Sequence, residues 1–337
     1  AVSWRGDRIE LAAIQLLGRL YIAESRYRDA FRLLDVALAI DPEAESTHEF
    51  HTELATVFED LYLTGKSQTL PPIEALALYY DFSRLTPIGR RGDELIRRLA
   101  ERLVAVDLLE QAAELLDHQI NYRLTGVAKA QVAAKLAIIH LMNRKPAEAV
   151  RVLAGSRVPQ LPQELRERRL FVEARALSDT GRHAVALELL EPLQGPDADR
   201  LRADIAWAAK QWREAGERLE KLLGERWKAD KPLDTAERHD VLRAAVAYSL
   251  GEEAIGLSRL KEKYGPRMGE TPEGKVLALL TSPEGGTAAT LAEAAKALAS
   301  FDSLTAFLKH YRERYPEMPL PPDPSPMGSL LSKRAAR

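Results

Sequence analysis

Three sets of residues in this chain have types and spacings that could do chemistry. Gly65-Lys66-Ser67 has the ending of a phosphate-binding loop, in which backbone N–H groups and a lysine cradle phosphates. That loop needs its first glycine at position 60, which is Asp60, and a strand before it, whereas residues 45–63 carry helical spacing; a polar turn accounts for the triplet. His48 and His51 stand three apart, one step along a helix face, as two ligands of a metal would, but no third ligand lies at a fitting spacing. His118, His140, His183, His239 and His310 are dispersed, and no nucleophile, base and orienting acid form a set. Two Arg-Gly-Asp triplets, at 5–7 and 91–93, invite an adhesion reading, yet both directly precede helical segments whose first turn an aspartate would cap. The chain has no cysteine, which excludes disulfides and thiolate metal sites. These residues lead to the expectation of a protein that is not an enzyme and that uses no metal and no cofactor.

The elements around these residues are helices, and they repeat. In the stretch from Leu17 to Pro42, Leu17, Gly18 and Tyr21 lie on one face of a first helix, and Tyr27, Ala30, Leu34 and Ala37 continue at steps of three and four on a second. Glu24-Ser25-Arg26 is the polar turn between them, and Asp41-Pro42 ends the pair, because proline cannot continue a helix. A hairpin of ~34 residues cannot bury both its faces alone, so copies must stack beside it. Taking the small residue at the centre of each second helix as a mark gives Ala30, Ala75, Ala112, Ala149, Ala186, Ala215 and Ala254, at spacings of 45, 37, 37, 37, 29 and 39. The surroundings recur as well, as EQAAELL at 110–116, AEAVRVL at 147–153, AVALELL at 184–190 and REAGERL at 213–219.

The first of these pairs resembles a tetratricopeptide repeat, a pattern with a leucine-glycine pair, two tyrosines, two alanines and a closing proline. Leu17, Gly18, Tyr21, Tyr27, Ala30, Ala37 and Pro42 each fall on a pattern position, and Ile14 takes the place of the pattern's tryptophan. Later copies are degenerate, with Ala100, Ala137, Ala174 and Ala203 standing where Gly18 stands, and His140 and His183 at positions that usually carry tyrosine. The resemblance covers roughly residues 5–260 and implies an all-α fold: a right-handed α-solenoid of antiparallel helix pairs, closed by a C-terminal helical cap.

Along the chain, Trp4 is expected to cover the exposed end of the first helix. Residues 45–63 read as one longer helix, and the 45-residue spacing implies an insertion ending in GKSQTLPP. Regular pairs then run from Asp93, taken as an N-cap: Glu94 to Val106 with Leu109 to Gln119, Gly126 to Met142 with Ala147 to Leu153, Glu164 to Ser178 with His183 to Leu193, and Asp197 to Ala209 with Trp212 to Leu223. Ala236 to Leu250 with Glu253 to Tyr264 forms a last pair, followed by a GPRMGETP loop. The division expected is therefore repeats over 1–264, closing helices over 265–316, at 272–281, 287–299 and 302–315, and a flexible proline-rich tail over 317–337. Phe301, Leu304, Phe307, Leu308 and Tyr311 are placed as a cap on the open end of the stack.

Composition agrees with a stack that grows in one dimension. Hydrophobic residues make up 46% of the chain and aromatics only 6%, so small side chains dominate the helix contacts. A net charge of -2 provides no global field toward nucleic acid, and no apolar run approaches the ~18 residues that span a membrane. The chain begins at Ala1 without methionine and is expected to be a processed or truncated piece of a longer one. It is expected to be bacterial, in the cytoplasm or in the periplasm and cell envelope.

In tetratricopeptide arrays the first helix of each pair lines an inner groove, and the resemblance carries that role onto Gln15 and Arg19, Arg97 and Glu101, Lys135 and Ile138, Arg168, Phe171 and Arg175, and Asp204 and Trp207. The lysine and asparagine set that clamps a C-terminal carboxylate in some relatives is absent. A mixed face of arginines, acids and aromatics suits an extended or helical peptide with acidic and apolar groups. The function expected is a non-catalytic scaffold for a protein or peptide partner, with self-association through unsealed ends as a further option. The alternative is a regulatory or substrate-docking region of a longer enzyme whose catalytic part lies elsewhere.

Overall fold

The computed structural model describes residues 8–64, 70–282 and 302–315, with isolated positions between 287 and 298. The expectations for Trp4, the first Arg-Gly-Asp triplet, Gly65-Lys66-Ser67, most of the 287–299 helix and the tail beyond residue 316 lie outside those residues. Among the described residues the protein is all-α, with sixteen α-helices and no strand. They fall into two compact units, one within Ala1–Leu124 and one within Thr125–Met318.

The first unit holds α1 (Arg8–Ala23), α2 (Tyr27–Ile40), α3 (Glu45–Leu63), α4 (Pro72–Asp81), α5 (Arg90–Ala105) and α6 (Leu109–Tyr122). The second holds α7 (Gly126–Met142), α8 (Pro146–Ala154), α9 (Gln163–Asp179), α10 (His183–Leu190), α11 (Pro196–Ala208), α12 (Trp212–Leu223), α13 (Thr235–Leu250), α14 (Ala254–Met268), α15 (Pro272–Leu280) and α16 (Ser303–Arg314). Consecutive helices pack as antiparallel pairs, α1 on α2, α5 on α6, α7 on α8, α9 on α10, α11 on α12 and α13 on α14. First helices also pack on first helices, α1 on α3, α3 on α5, α7 on α9 and α9 on α11.

One turn, built six times, joins these pairs. Ser25, Asp107, Arg144, Gly181, Lys210 and Glu252 each adopt a left-handed backbone, with φ between 55° and 84°. Each donates its N–H to the carbonyl three residues back, and the next residue donates to the carbonyl five back, as in Ser25 to Ile22 and Arg26 to Tyr21, or Lys210 to Trp207 and Gln211 to Ala206. This is the Schellman closure, which satisfies the last carbonyls of the first helix while reversing the chain. Only Gly181 is glycine; the other five turns hold a side-chain-bearing residue in a conformation that costs it about 1 kcal/mol or more.

Counting from that turn fixes the register. Five residues after it lie Ala30, Ala112, Ala149, Ala186 and Ala215, all fully buried, and seven before it lie Gly18, Ala100, Ala137, Ala174, Ala203 and Ala245, also buried. Gly18 shows why the site is small: a Cβ there would stand 2.7 Å from the Phe50 ring. The last pair breaks the expected pattern, because Ala254 is exposed and the position five residues after the turn is the half-buried Leu257, 42 residues after Ala215. Gly256 and Gly216 instead make room for Tyr248, whose ring lies 2.8 and 2.7 Å from where their Cβ atoms would be. The Tyr248 hydroxyl donates to Glu220 at 2.8 Å, and Arg259 and Lys263 join the same carboxylate. Burial opposes its ionisation, but these donors hold the Glu220 carboxyl down at about 2.

Where small residues are missing, aromatics fill the space. Phe31 meets Phe58 at 5.5 Å and Phe82 at 5.4 Å, and the Tyr62 hydroxyl donates to the Ala75 carbonyl across α3 and α4 at 2.7 Å. In the second unit, buried Arg169 of α9 donates to the carbonyls of Ala130 on α7 and Leu153 on α8, tying three helices together.

Two expectations are corrected here. Asp93 is not an N-cap: α5 begins at Arg90, and Asp93 in its first turn accepts from Arg123 Nε at 2.9 Å. Its Arg-Gly-Asp triplet is helical, with Gly92 packed so tightly that a Cβ would overlap the Pro87 carbonyl. The helix expected to stop at Tyr264 runs through Pro266 to Met268, because buried Met268 anchors its last turn in the core and a proline so near the end forfeits little.

Candidate functional site

The register places the expected groove residues, and the two units treat them differently. In the first unit, Gln15 donates to the Ser46 carbonyl at 2.6 Å, and exposed Arg19 makes a two-pronged contact with Glu53 at 2.9 and 3.0 Å. These bonds turn the inner edge of α1 toward α3, whose Glu45, His48, Glu49, Thr52, Glu53 and Thr56 line a wide, open, acidic concavity. Arg97 pairs with Glu94 at 2.5 Å, and it and Glu101 are partly buried on α5. The acids of α3 were not among the expected groove residues, because the 45-residue spacing reads as an insertion; their spacing of four, at 45, 49 and 53, is the signal that was available.

In the second unit the same face is covered. Lys135 and Ile138 are buried on α7, and Arg168, Phe171 and Arg175 on α9 are each about 5–6% exposed. What covers the α9 residues is α16. Arg168 donates Nε to the Tyr311 hydroxyl at 2.6 Å, and its guanidinium stands over the Tyr311 and Tyr315 rings at 5.5 and 5.3 Å. Arg175 donates to the Ser303 carbonyl at 2.9 Å, reaches Asp179 at 3.0 Å and stacks over Phe307 at 5.6 Å. Phe171 lies under the Arg314 guanidinium at 5.4 Å. The beginning of α16 thus meets the end of α9 and its end meets the beginning, so the two run antiparallel.

Ion pairs hold both ends of α16. Arg144, in the α7–α8 turn, reaches Asp302 at 2.7 Å, and Arg314 reaches Asp197 at the start of α11 at 2.6 Å. The Asp302 side chain caps α16 by accepting from the Leu304 N–H at 2.9 Å. Burial opposes ionisation of Asp302, but Arg144 and that N–H outweigh it and hold the carboxyl below its ordinary value. Burial pushes the Tyr311 hydroxyl up to about 12, with Arg168 pulling it back. Exposed ion pairs contribute about 0–1 kcal/mol each, and burying an aromatic side chain about 1.5–3 kcal/mol, so Phe307, Tyr311 and Tyr315 hold this helix far more than its charged ends do.

Of the aromatics expected to cap the open end of the stack, Phe301 lies outside the described residues, and Phe307 and Tyr311 lie across first-helix faces inside it. The physical reason is their spacing: Leu304, Phe307, Tyr311 and Tyr315 form one apolar stripe, and the arginines of α9 give the ring hydroxyls and π-faces partners that a stack end does not offer.

On α11, Asp204 accepts from Arg243 of α13 at 2.7 Å, and Arg243 stacks over Trp207 at 5.1 Å. Trp207 meets Trp212 edge to face at 5.5 Å, so these two expected groove residues act within the packing of α11, α12 and α13. Asp197 and Arg200, seven and four residues before Asp204 on the same face, were missed by the sequence reading. Both line a crevice beside α16 with Phe171, Leu201 and Tyr311, and Arg200 is anchored on Asp240 at 2.6 and 3.0 Å.

Among the described residues no group of three or more His, Asp or Glu converges as a metal site would, and no helix is long and apolar enough to cross a membrane. No family model matches the chain, and no curated protein matches it. A solved structure that does match is the crystal structure of the P58(IPK) TPR domain, at 14% identity over 91% of this chain and 93% of that one, with a TM-score of 0.23. With a TM-score that low the superposition decides nothing, and the paired-helix fold stands on the six turns and the packing above.

Proposed function

We propose that the protein is a non-catalytic interaction scaffold that holds a protein or peptide segment against the faces of its first helices. One observation carries this reading: a face built from α9 and α11 already holds an amphipathic helix, α16, through buried arginines, stacked aromatics and an ion pair at each end. Such a surface binds by shape, cation–π contact and charge, and no arrangement of groups on it is set up for bond-making. In the first unit the corresponding face is open and acidic along α3, which suits a segment carrying lysine or arginine.

Site-specific photo-crosslinking tests it. The full chain carrying benzoylphenylalanine at Glu49, on the open face, is expected to capture a discrete protein from an extract of its source cells. The same chain carrying it at Ile255, which is 79% exposed on the second helix of a pair, is expected not to. Equal capture at both positions, or capture at Ile255 alone, moves the binding surface off the first-helix faces.

A further inference from the structure

The face of α9 and α11 is occupied by the chain itself, and its occupant leaves part of the face unused. We propose that α16 is a built-in surrogate ligand that keeps this face closed, and that the true partner is an amphipathic helix of the same kind with a carboxylate where α16 has Tyr311. The proposal rests on the scaffold reading above and specifies its ligand.

Three observations support it. First, α16 makes the contacts a bound helical peptide makes. Its apolar stripe, Phe307, Tyr311 and Tyr315, is buried against another element's arginines, and its ends are pinned by Arg144 and Asp197. Second, the fit is incomplete at one atom. Arg168 is only 6% exposed and donates through Nε to the Tyr311 hydroxyl, yet its Nη2 has no hydrogen-bond partner among the described residues. A phenol offers one oxygen to a guanidinium built for two parallel bonds; a carboxylate in its place would accept from Nε and Nη2 together. A buried donor left unpaired is a cost that a competing helix with that carboxylate removes. Third, the clasps at both ends are partly exposed ion pairs, the contacts most easily exchanged for those of an incoming helix with an acid before its first turn and an arginine in its last. The partner so defined has an acid at the position of Asp302, aromatics at those of Phe307 and Tyr315, glutamate at that of Tyr311 and arginine at that of Arg314.

The probes are two fluorescein-labelled synthetic peptides: the chain's own residues 302–315, and the same peptide with Tyr311→Glu. Each is titrated by fluorescence anisotropy into the full wild-type chain and into a full chain with Phe307→Ala and Tyr311→Ala, which weakens the resident helix without touching α9 or α11. Circular dichroism melting of the variant confirms that it is folded, and the single Phe307→Ala chain replaces it if the double variant is not. The expected result is binding to the weakened chain at least tenfold tighter than to wild type, and the glutamate peptide severalfold tighter than the native one. Adding Arg168→Leu to the weakened chain is expected to erase the preference for glutamate. Equal affinity for wild-type and weakened chains overturns the closure, because the face would then be open. Native-peptide binding equal to or tighter than that of the glutamate peptide overturns the partner's chemistry, and no binding of either peptide to a folded weakened chain overturns the proposal whole. None of these results bears on the Glu49 crosslink, which reports on the other unit, so the scaffold reading stands or falls separately.

Discussion

Tyr248 sets the packing of the last pairs, and the two glycines against it carry opposite local and tertiary preferences. Within a helix, glycine costs about 1 kcal/mol relative to alanine, so Gly256→Ala taken alone should stabilise. The Tyr248 ring, however, stands 2.8 Å from the new Cβ, meets Gly216 as closely, and has its hydroxyl tied to Glu220, so it cannot move aside. Overpacking of that kind costs about 1–3 kcal/mol, which outweighs the propensity gain. Gly256→Ala is expected to destabilise the fold by about 1–2 kcal/mol in urea titration, and in a Tyr248→Leu background the same change is expected to stabilise it. A stable single variant would show that the ring yields. Gly256 was not marked by the sequence pattern, because the mark set on Ala254 is three residues out of register with the turn.

The element that repeats most faithfully is the turn between paired helices. Its six copies share two backbone hydrogen bonds and one left-handed residue, although the residue type runs through Ser, Asp, Arg, Gly, Lys and Glu. Sequence inspection finds the polar turn but not its conformation, since none of those types except glycine announces a positive φ. Lys210, at φ 58°, makes the prediction clean because glycine adopts that conformation without steric cost. Lys210→Gly is expected to stabilise the protein by about 0.5–1 kcal/mol, and Gly181→Ala, at φ 84°, to destabilise it by a similar amount, both read from denaturation midpoints. If Lys210→Gly lowers the midpoint, the backbone at that turn is not left-handed in solution.

At the scale of the molecule, stability is shared between neighbours. In the second unit α8 packs on α7 and α9, and Ala149, fully buried, stands at the meeting of its pair. Replacing Ala149 by Trp forces a large ring into a site that holds a methyl group, and in a stack of repeats the disturbance passes to adjacent helices. Hydrogen exchange is expected to rise over α7 to α10 while α1 to α4, in the other compact unit, keep their wild-type protection. A uniform rise over the whole chain would show that the two units do not unfold separately.

The sequence by itself determined the helices and most of their pairing, because a period near 3.6 with small residues at fixed intervals can bury its apolar faces only by stacking helix on helix. Gln15, Arg19, Arg168, Phe171 and Arg175 were legible as residues of one kind of face, since that face follows from counting along each helix. What covers the face was not legible. Leu304, Phe307 and Tyr311 read as part of a terminal cap because their stripe has the period of any packed helix, and a period says that a face is buried without saying against what. Only the tertiary structure brings Arg168 under Tyr311, 143 positions away in the chain, and leaves one of its nitrogens without a partner.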